Sequence, residues 1–305
     1  MLNFIELQEI FMWPTIPEEA IDYVRGLFRN ANLRVCDVIQ NNPNERETSF
    51  DGVLVDALIP YSAPTILPSG IIVEMDVHNI GGLRRYTRWE TADIALLIFV
   101  YFGSELEAQK VGFLQSKRLY PSNNDVKDED PEGFRYGMNA MLWRPKDRPS
   151  ARIRQTFEFN DDCVYGALKA GDEQVFAIDQ FNSEFGEAIY YLFYSPSILP
   201  LLIESPHTSR QTIDNIELGC RVASAAEVHE VLGGLDNGRS PTHAALQAGT
   251  TNSNWRLETW AADLLLSCRV GRQYNEDSAP LVRSMIERRT GPISAAIAIS
   301  VHIPR

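Results

Sequence analysis

An unbroken apolar run from Ile94 to Tyr101 constrains the fold more than any other segment of the chain. It is far shorter than the roughly 20 residues that a membrane-spanning helix needs. A strand with one face in water alternates apolar and polar residues, whereas a strand covered on both faces is apolar throughout. The run therefore predicts a central β-strand enclosed by other elements.

Further strands and helices are predicted on both sides of this run. The segment 111–117 is strand-like, and the short polar link 103–107 favours a hairpin between the two strands. Apolar residues at helical spacing after Pro17 predict a short helix that ends before Asn30. A second stripe over 50–58 places Glu47 at or just before a helix start. Other expected strands cover 71–77, 188–194 and 293–302, and other expected helices cover 132–143, 163–169, 225–232, 255–268 and 279–288.

This order of elements favours an α/β fold with a mixed central β-sheet flanked by helices and a C-terminal α+β extension. We expect an N-terminal helical segment over 1–43, a core over 44–200 and an extension over 201–305 packed on that core. No internal repeat or low-complexity tract interrupts the chain.

Composition limits the classes of function. Hydrophobic residues make up 44% of the 305 residues and no long apolar segment occurs, so we expect a soluble protein without a membrane partner. Acids near the N-terminus are atypical of a secretory signal, which makes the cytoplasm the expected location. The formal net charge of -13 argues against nonspecific coating of nucleic acid. A local basic strip remains a candidate nucleic-acid contact, with a solvated loop as the alternative: Arg144, Lys146, Arg148, Arg152 and Arg154.

Several common catalytic patterns are missing from the sequence. The four cysteines are widely separated and contain no C-x-x-C pair, which disfavours structural zinc. The five histidines form no H-E-x-x-H pattern, and no G-x-S-x-G elbow occurs. The segment 233–240 has the glycine spacing of a phosphate-binding loop but follows a predicted helix, so a plain loop is favoured.

One acid, one amide and one lysine stand out near the two central strands. Asp93 opens the apolar strand, where an unpaired charge is costly. Gln115 and Lys117 are two residues apart on the next strand and therefore share a face. If the two strands pair, Asp93 and Gln115 would supply oxygen ligands for Mg²⁺ or Mn²⁺, and Lys117 would position water or offset growing charge. A buried Asp93–Lys117 ion pair is the structural alternative.

With these residues the segment from Glu47 to Tyr194 resembles the PD-(D/E)XK nuclease superfamily, which has a restriction-endonuclease-like fold. The resemblance implies that Asp93 is the first acid and Lys117 the lysine, while Gln115 replaces the second acid in a Q-x-K variant. A compensating acid is then expected. Glu47 is the first choice, Glu90 the second and Glu74 the third, each with a capping or solvent-exposed carboxylate as its alternative.

The resemblance implies a Mg²⁺- or Mn²⁺-dependent endonuclease, with DNA favoured as substrate and RNA left open. It also implies a setting in prokaryotic antiphage defence or DNA processing, with a separate sensor protein as partner or a homo-oligomer. The rival hypothesis is a nuclease-fold binding or interaction module without catalysis. A third hypothesis assigns the function to residues 196–305 and treats the sheet as a scaffold.

Overall fold

The computed structural model describes residues 13–80, 91–123, 155–205, 212–213, 215–287 and 293–305. Across these residues the chain forms a mixed α/β fold in which a large sheet is flanked by helices, as expected. A second, smaller sheet contains β5 (Ser122–Asn123), β6 (Gln155–Phe159) and β8 (Leu201–Ser205). Among the helices so described, none is long and apolar enough to cross a membrane.

The helices begin with α1 (Glu18–Asn41), whose apolar stripe is buried, and α2 (Glu47–Leu58), which packs against it. Both lie where apolar spacing predicts helices, but α1 does not end before Asn30 as expected, because its buried stripe continues to Ile39. A short 3-10 helix, Ile59–Tyr61, follows α2. The later helices are α3 (Glu173–Phe185), α4 (Ala225–Gly233), α5 (His243–Gly249), a π-helix (Thr259–Leu266) and α6 (Ala279–Ile286).

The large sheet has the strand order β1-β2-β12-β3-β4-β7-β9-β10, and β11 adds to one half of β4. Its strands are β1 (Thr65–Ile66), β2 (Ile72–Asn79), β3 (Ile94–Phe102), β4 (Glu105–Arg118), β7 (Ile189–Tyr194), β9 (Arg221–Ser224), β10 (Trp255–Arg256), β11 (Arg272–Gln273) and β12 (Ala295–Ile303). The predicted β3–β4 hairpin is confirmed, since the two strands pair antiparallel. β3 is largely buried, as its apolar run requires.

The residues after 200 contribute strands to the same large sheet as the expected core. β12 lies between β2 and β3, antiparallel to the first and parallel to the second. β9 pairs with β7, and β11 pairs with β4. The division of the chain at residue 200 therefore does not separate one sheet from another.

Two helix predictions differ from the structure, and a third, over 132–143, lies outside the described residues. The segment 163–169 forms turns and an isolated bridge from Val164 to Thr242, so the helix predicted there is wrong. The helix α3 begins later, where the Asp172 side chain accepts a hydrogen bond from the backbone N–H of Gln174 at 3.1 Å. The helix predicted over 255–268 is only partly present, because Trp255 and Arg256 pair with β9 before the π-helix begins.

Close packing of the π-helix on β4 predicts the cost of a single added methyl group. A Cβ at Gly112 would lie 3.0 Å from two ring carbons of Trp260 and 3.1 Å from a methyl of Leu265. Because Trp260 is fully buried, we expect Gly112→Ala to destabilise the fold by about 1–3 kcal/mol, measured by chemical denaturation. Gly26→Ala in α1 is the control, since nothing lies within 4 Å of its Cβ position. Equal stability of the two variants would contradict this packing.

Candidate active site

The candidate site lies where β4 continues past the beginning of β3. Pairing of the two strands ends at Ile94 and Leu114, but β4 runs on to Arg118 along β7. On this open edge the backbone N–H groups of Ser116 and Arg118 need acceptors, since buried backbone donors are rarely left unpaired. Ser116 donates to Asp93 Oδ2 at 2.8 Å, and Arg118 donates to Glu47 Oε2 at 3.0 Å. Two carboxylates thus replace a neighbouring strand.

Asp93 and Gln115 lie side by side, as expected if the two strands pair. Gln115 Nε2 donates to Asp93 Oδ2 at 2.6 Å. The amide nitrogen, and not the amide oxygen, thus faces the carboxylate. Gln115 is only 2% exposed, and its buried Oε1 has no hydrogen-bond partner among the residues that the structure describes. A buried acceptor of this kind is costly and uncommon, which makes it the outstanding chemical feature of the site.

The backbone of Asp93 is held by strand pairing on one side and by the C-terminal region on the other. Its N–H donates to Leu114 O at 2.8 Å. Its carbonyl oxygen accepts from Ser294 N at 2.9 Å and from Ser294 Oγ at 2.8 Å. The chain after residue 200 therefore helps to position the candidate catalytic acid.

Lys117 is buried beside Glu47. The lysine is 4% exposed, and its Nζ lies 3.9 Å from Glu47 Oε1. Glu47 is the first residue of α2, where the helix dipole favours a carboxylate. The positive charge of Lys117 also lowers the pKa of Asp93, although burial outweighs this effect. The structure thus gathers Glu47, Asp93, Gln115 and Lys117 at the end of β4.

Asp51 is a member of this cluster that sequence reasoning missed. It is 5% exposed, and its Oδ1 accepts hydrogen bonds from Ser116 Oγ and from Tyr194 Oη, the latter at 2.6 Å. Ser116 consequently links two acids, because its backbone N–H binds Asp93 while its hydroxyl binds Asp51. An acid four residues after Glu47, inside an otherwise apolar helix stripe, was the available signal.

Arg118 holds the loop that precedes α2. Its guanidinium donates to the carbonyl oxygen of Pro43 at 2.8 Å and also to that of Glu45. The same group lies 4.4 Å from the ring centroid of Tyr120. Because Arg118 also binds Glu47 through its backbone, one residue connects β4 to the beginning of α2 and so places the Glu47 carboxylate.

Burial dominates the electrostatics of the two aspartates. Desolvation raises the pKa of Asp93 well above its usual range, and the nearby charge of Asp51 raises it further. Desolvation also raises the pKa of Asp51 to about 6, while its hydrogen bonds from Ser116 and Tyr194 lower it. The ionised cluster is therefore costly, and a cation would favour the charged forms of both acids.

The donor set can be tested for its fit to a metal ion. Among the residues that the structure describes, no group of three or more His, Cys, Asp or Glu side chains could hold a metal. Mg²⁺, however, is usually held by one or two carboxylates together with water and substrate phosphate oxygens, and not by a complete protein cage. The Asp93 carboxylate and the unpartnered Gln115 Oε1 are oxygen donors of the required kind. The residues present fit Mg²⁺ or Mn²⁺.

Other predicted site residues lie elsewhere or outside the described residues. Glu74 is on β2, which β12 separates from β3, and its Oε2 lies 3.9 Å from His302 Nε2. The prediction of Glu74 as a third choice for the extra acid is therefore not supported by its position. Glu90 and the basic strip lie outside the described residues. That strip comprises Arg144, Lys146, Arg148, Arg152 and Arg154.

Comparison of the chain with protein-family models, with curated proteins and with solved structures gave no match. A functional interpretation therefore depends on the contacts, burial and charges of the residues at the end of β4.

The raised pKa of Asp51 predicts a pH-dependent gain in stability when its charge is removed. Between about pH 4 and pH 6 the unfolded acid ionises while the folded acid stays protonated, so the wild type loses stability as the pH rises. Asp51→Asn does not undergo this loss. Between pH 4 and pH 7 we expect the melting temperature of Asp51→Asn to rise relative to that of wild type. The rise should be about 2–4 °C for each kcal/mol of unfolding free energy that the wild type loses.

Thermal melts at several pH values check this expectation. Asp56→Asn is the matched control, because Asp56 is exposed on the same helix. The readout is how the difference in melting temperature between variant and wild type changes with pH, since the cost of burying a new amide does not vary over that range. A melting-temperature difference between Asp51→Asn and wild type that stays constant with pH would contradict the assignment of Asp51 as a desolvated acid.

Proposed function

We propose that this protein is a Mg²⁺- or Mn²⁺-dependent nuclease that hydrolyses phosphodiester bonds, with DNA as the favoured substrate. The observation that supports the proposal is the buried, unpartnered Gln115 Oε1 beside the Asp93 carboxylate, with Lys117 on the same strand. In a purely structural cluster, an amide of this kind would be expected to have a partner for its oxygen. A divalent cation bound here would supply that partner.

Asp93 and Gln115 are the residues that would hold the metal. When bound, the ion would supply Lewis-acid polarisation of the phosphate and would make a water molecule more acidic. The short Gln115–Asp93 hydrogen bond prepares the site by aligning the amide with the carboxylate. Ser116 limits the movement of Asp93 through its backbone N–H, so the acid is positioned before substrate arrives.

Lys117 and Glu47 have complementary roles in hydrolysis. As water oxygen bonds to phosphorus and the bond to the leaving oxygen breaks, negative charge grows on the phosphate oxygens. The Lys117 ammonium would offset this charge in a site from which much of the water is excluded. Glu47 lies 3.9 Å from that ammonium and holds it at the end of β4. Asp51 would supply part of the negative charge that is missing because Gln115 stands where PD-(D/E)XK nucleases carry an acid.

The biological setting that we propose follows from the resemblance to PD-(D/E)XK nucleases. It is a cytoplasmic role in prokaryotic antiphage defence or DNA processing, with activity released by a separate sensor protein or by self-association. The net charge of -13 supports recruitment to nucleic acid by such a partner, because the chain as a whole repels phosphates.

A binding or interaction module without catalysis is the second candidate function. The Gln115 replacement favours it, since the hydrogen bond from Nε2 occupies one oxygen of Asp93 and the amide adds no charge. Isothermal titration with Mn²⁺ separates the two candidates. The nuclease proposal expects binding that disappears in Asp93→Asn, whereas no such binding would favour the inactive module.

Two substitutions test the nuclease directly. We expect Asp93→Asn and Lys117→Met each to reduce cleavage of supercoiled plasmid with Mg²⁺ or Mn²⁺ by at least about 100-fold. Both replacements keep the approximate size of the side chain, and circular dichroism would verify folding. Lys110→Met is the matched control for the lysine, because Lys110 is also buried on β4 but precedes Lys117 by seven residues along the strand.

The control should cleave at the wild-type rate. If Asp93→Asn or Lys117→Met also cuts at that rate, the proposed site is wrong. Replacing the plasmid by single-stranded DNA and by RNA under the same conditions would define the substrate class.

Restoring the missing acid provides a further test of the metal site. In Gln115→Glu the new carboxylate would face Asp93, so we expect a lower melting temperature without divalent cations. Added Mn²⁺ should bind at least about 10-fold more tightly than in wild type and should recover the lost stability. Destabilisation that Mn²⁺ does not reverse would indicate that Gln115 has a structural role only.

A further inference from the structure

A lysine and a cysteine form a close pair at the opposite half of β4. Lys110 Nζ lies 3.0 Å from Cys268 Sγ. Gln273 on β11 donates to the same sulfur from Nε2, also at 3.0 Å. Trp13 covers the lysine, with its ring centroid 5.6 Å from Nζ. The pair therefore connects β4 with the chain that follows the π-helix.

The lysine is unusual in its own right. Lys110 is 1% exposed, and no carboxylate forms an ion pair with it among the residues that the structure describes. Lysine is seldom buried without such a partner. Desolvation lowers the pKa of Lys110, which increases the fraction of neutral amine, the form that reacts as a nucleophile.

The cysteine is the most accessible of the four in the chain. Cys268 is partly exposed, whereas Cys36, Cys163 and Cys220 are buried. Burial also raises the pKa of Cys36 to about 12 and that of Cys220 well above its usual range. An oxidant from solvent consequently reaches Cys268 first, and there it meets a sulfur in contact with an amine.

We propose that Lys110 and Cys268 are a redox modification site, at which dioxygen forms a covalent N–O–S cross-link. One oxygen atom of dioxygen bonds to both Sγ and Nζ. The other leaves as water with the thiol hydrogen and one amine hydrogen. Sulfur and nitrogen each lose two electrons, and dioxygen accepts all four. Thiol reductants reverse the reaction, as they do for other low oxidation states of cysteine.

The cross-link is separate from the candidate active site. Lys110 precedes Lys117 by seven residues on β4, which corresponds to about 23 Å along the strand. The new bond would tie β4 to the segment after the π-helix, far along the chain from residue 110. It requires no metal and no substrate, so it stands or fails independently of the proposed nuclease activity.

Mass spectrometry of the full-length protein tests the proposal. After exposure to oxygenated buffer, we expect a mass gain of about 14 Da, the loss of one titratable thiol and a Lys110–Cys268 cross-linked peptide, all reversed by dithiothreitol. Lys110→Arg and Cys268→Ser should both abolish the gain. Lys110→Arg retains a positive charge and hydrogen-bond donors but lacks the reactive amine. Cys163→Ser is the control and should still form the cross-link.

Three results would overturn the inference. One is a gain of about 16 or 32 Da on Cys268, which indicates simple sulfur oxidation. Another is a gain of about 14 Da that persists in Lys110→Arg. The third is an unchanged mass for wild type when the oxygen exposure is shown to oxidise a thiol in a reference peptide.

Discussion

The open edge of β4 is the constraint on which the candidate site depends. β3 pairs with β4 only as far as Leu114, and the next two N–H groups on that edge must find other acceptors. Asp93 and Glu47 accept them, although the first precedes β3 and the second begins α2. Satisfying the backbone thus brings two acids from separate elements to one strand end. A lysine and an amide on that strand then lie beside them.

This arrangement places charge in a region that would be more stable without it. Burial raises the pKa of both Asp93 and Asp51, so neighbouring groups must favour the ionised forms. Lys117 and the hydrogen bonds from Ser116 do so only in part. Clusters that oppose stability in this way are characteristic of functional sites, and they agree with the proposed need for a cation.

Much of the framework was predictable because it depends on local pattern. The apolar run after Asp93 predicted β3, and the short polar link predicted the hairpin with β4. Hairpin pairing then placed Gln115 beside Asp93, as expected for two paired strands. Asp51 was not predicted, because helix periodicity places it within an apolar stripe but cannot show that Ser116 and Tyr194 face it. That information depends on how α2 crosses the sheet.

The sequence by itself determined the central strand, the hairpin and the residue types available at its end, since an unbroken apolar run marks a strand that is buried on both faces. Only the tertiary structure decided that β12 lies between β2 and β3, that Ser294 anchors Asp93, and that Glu47 and Asp51 join the cluster. These outcomes come from pairing between distant segments. Local pattern specifies a strand and its faces, but the partner at each edge is selected by the packing of the whole chain.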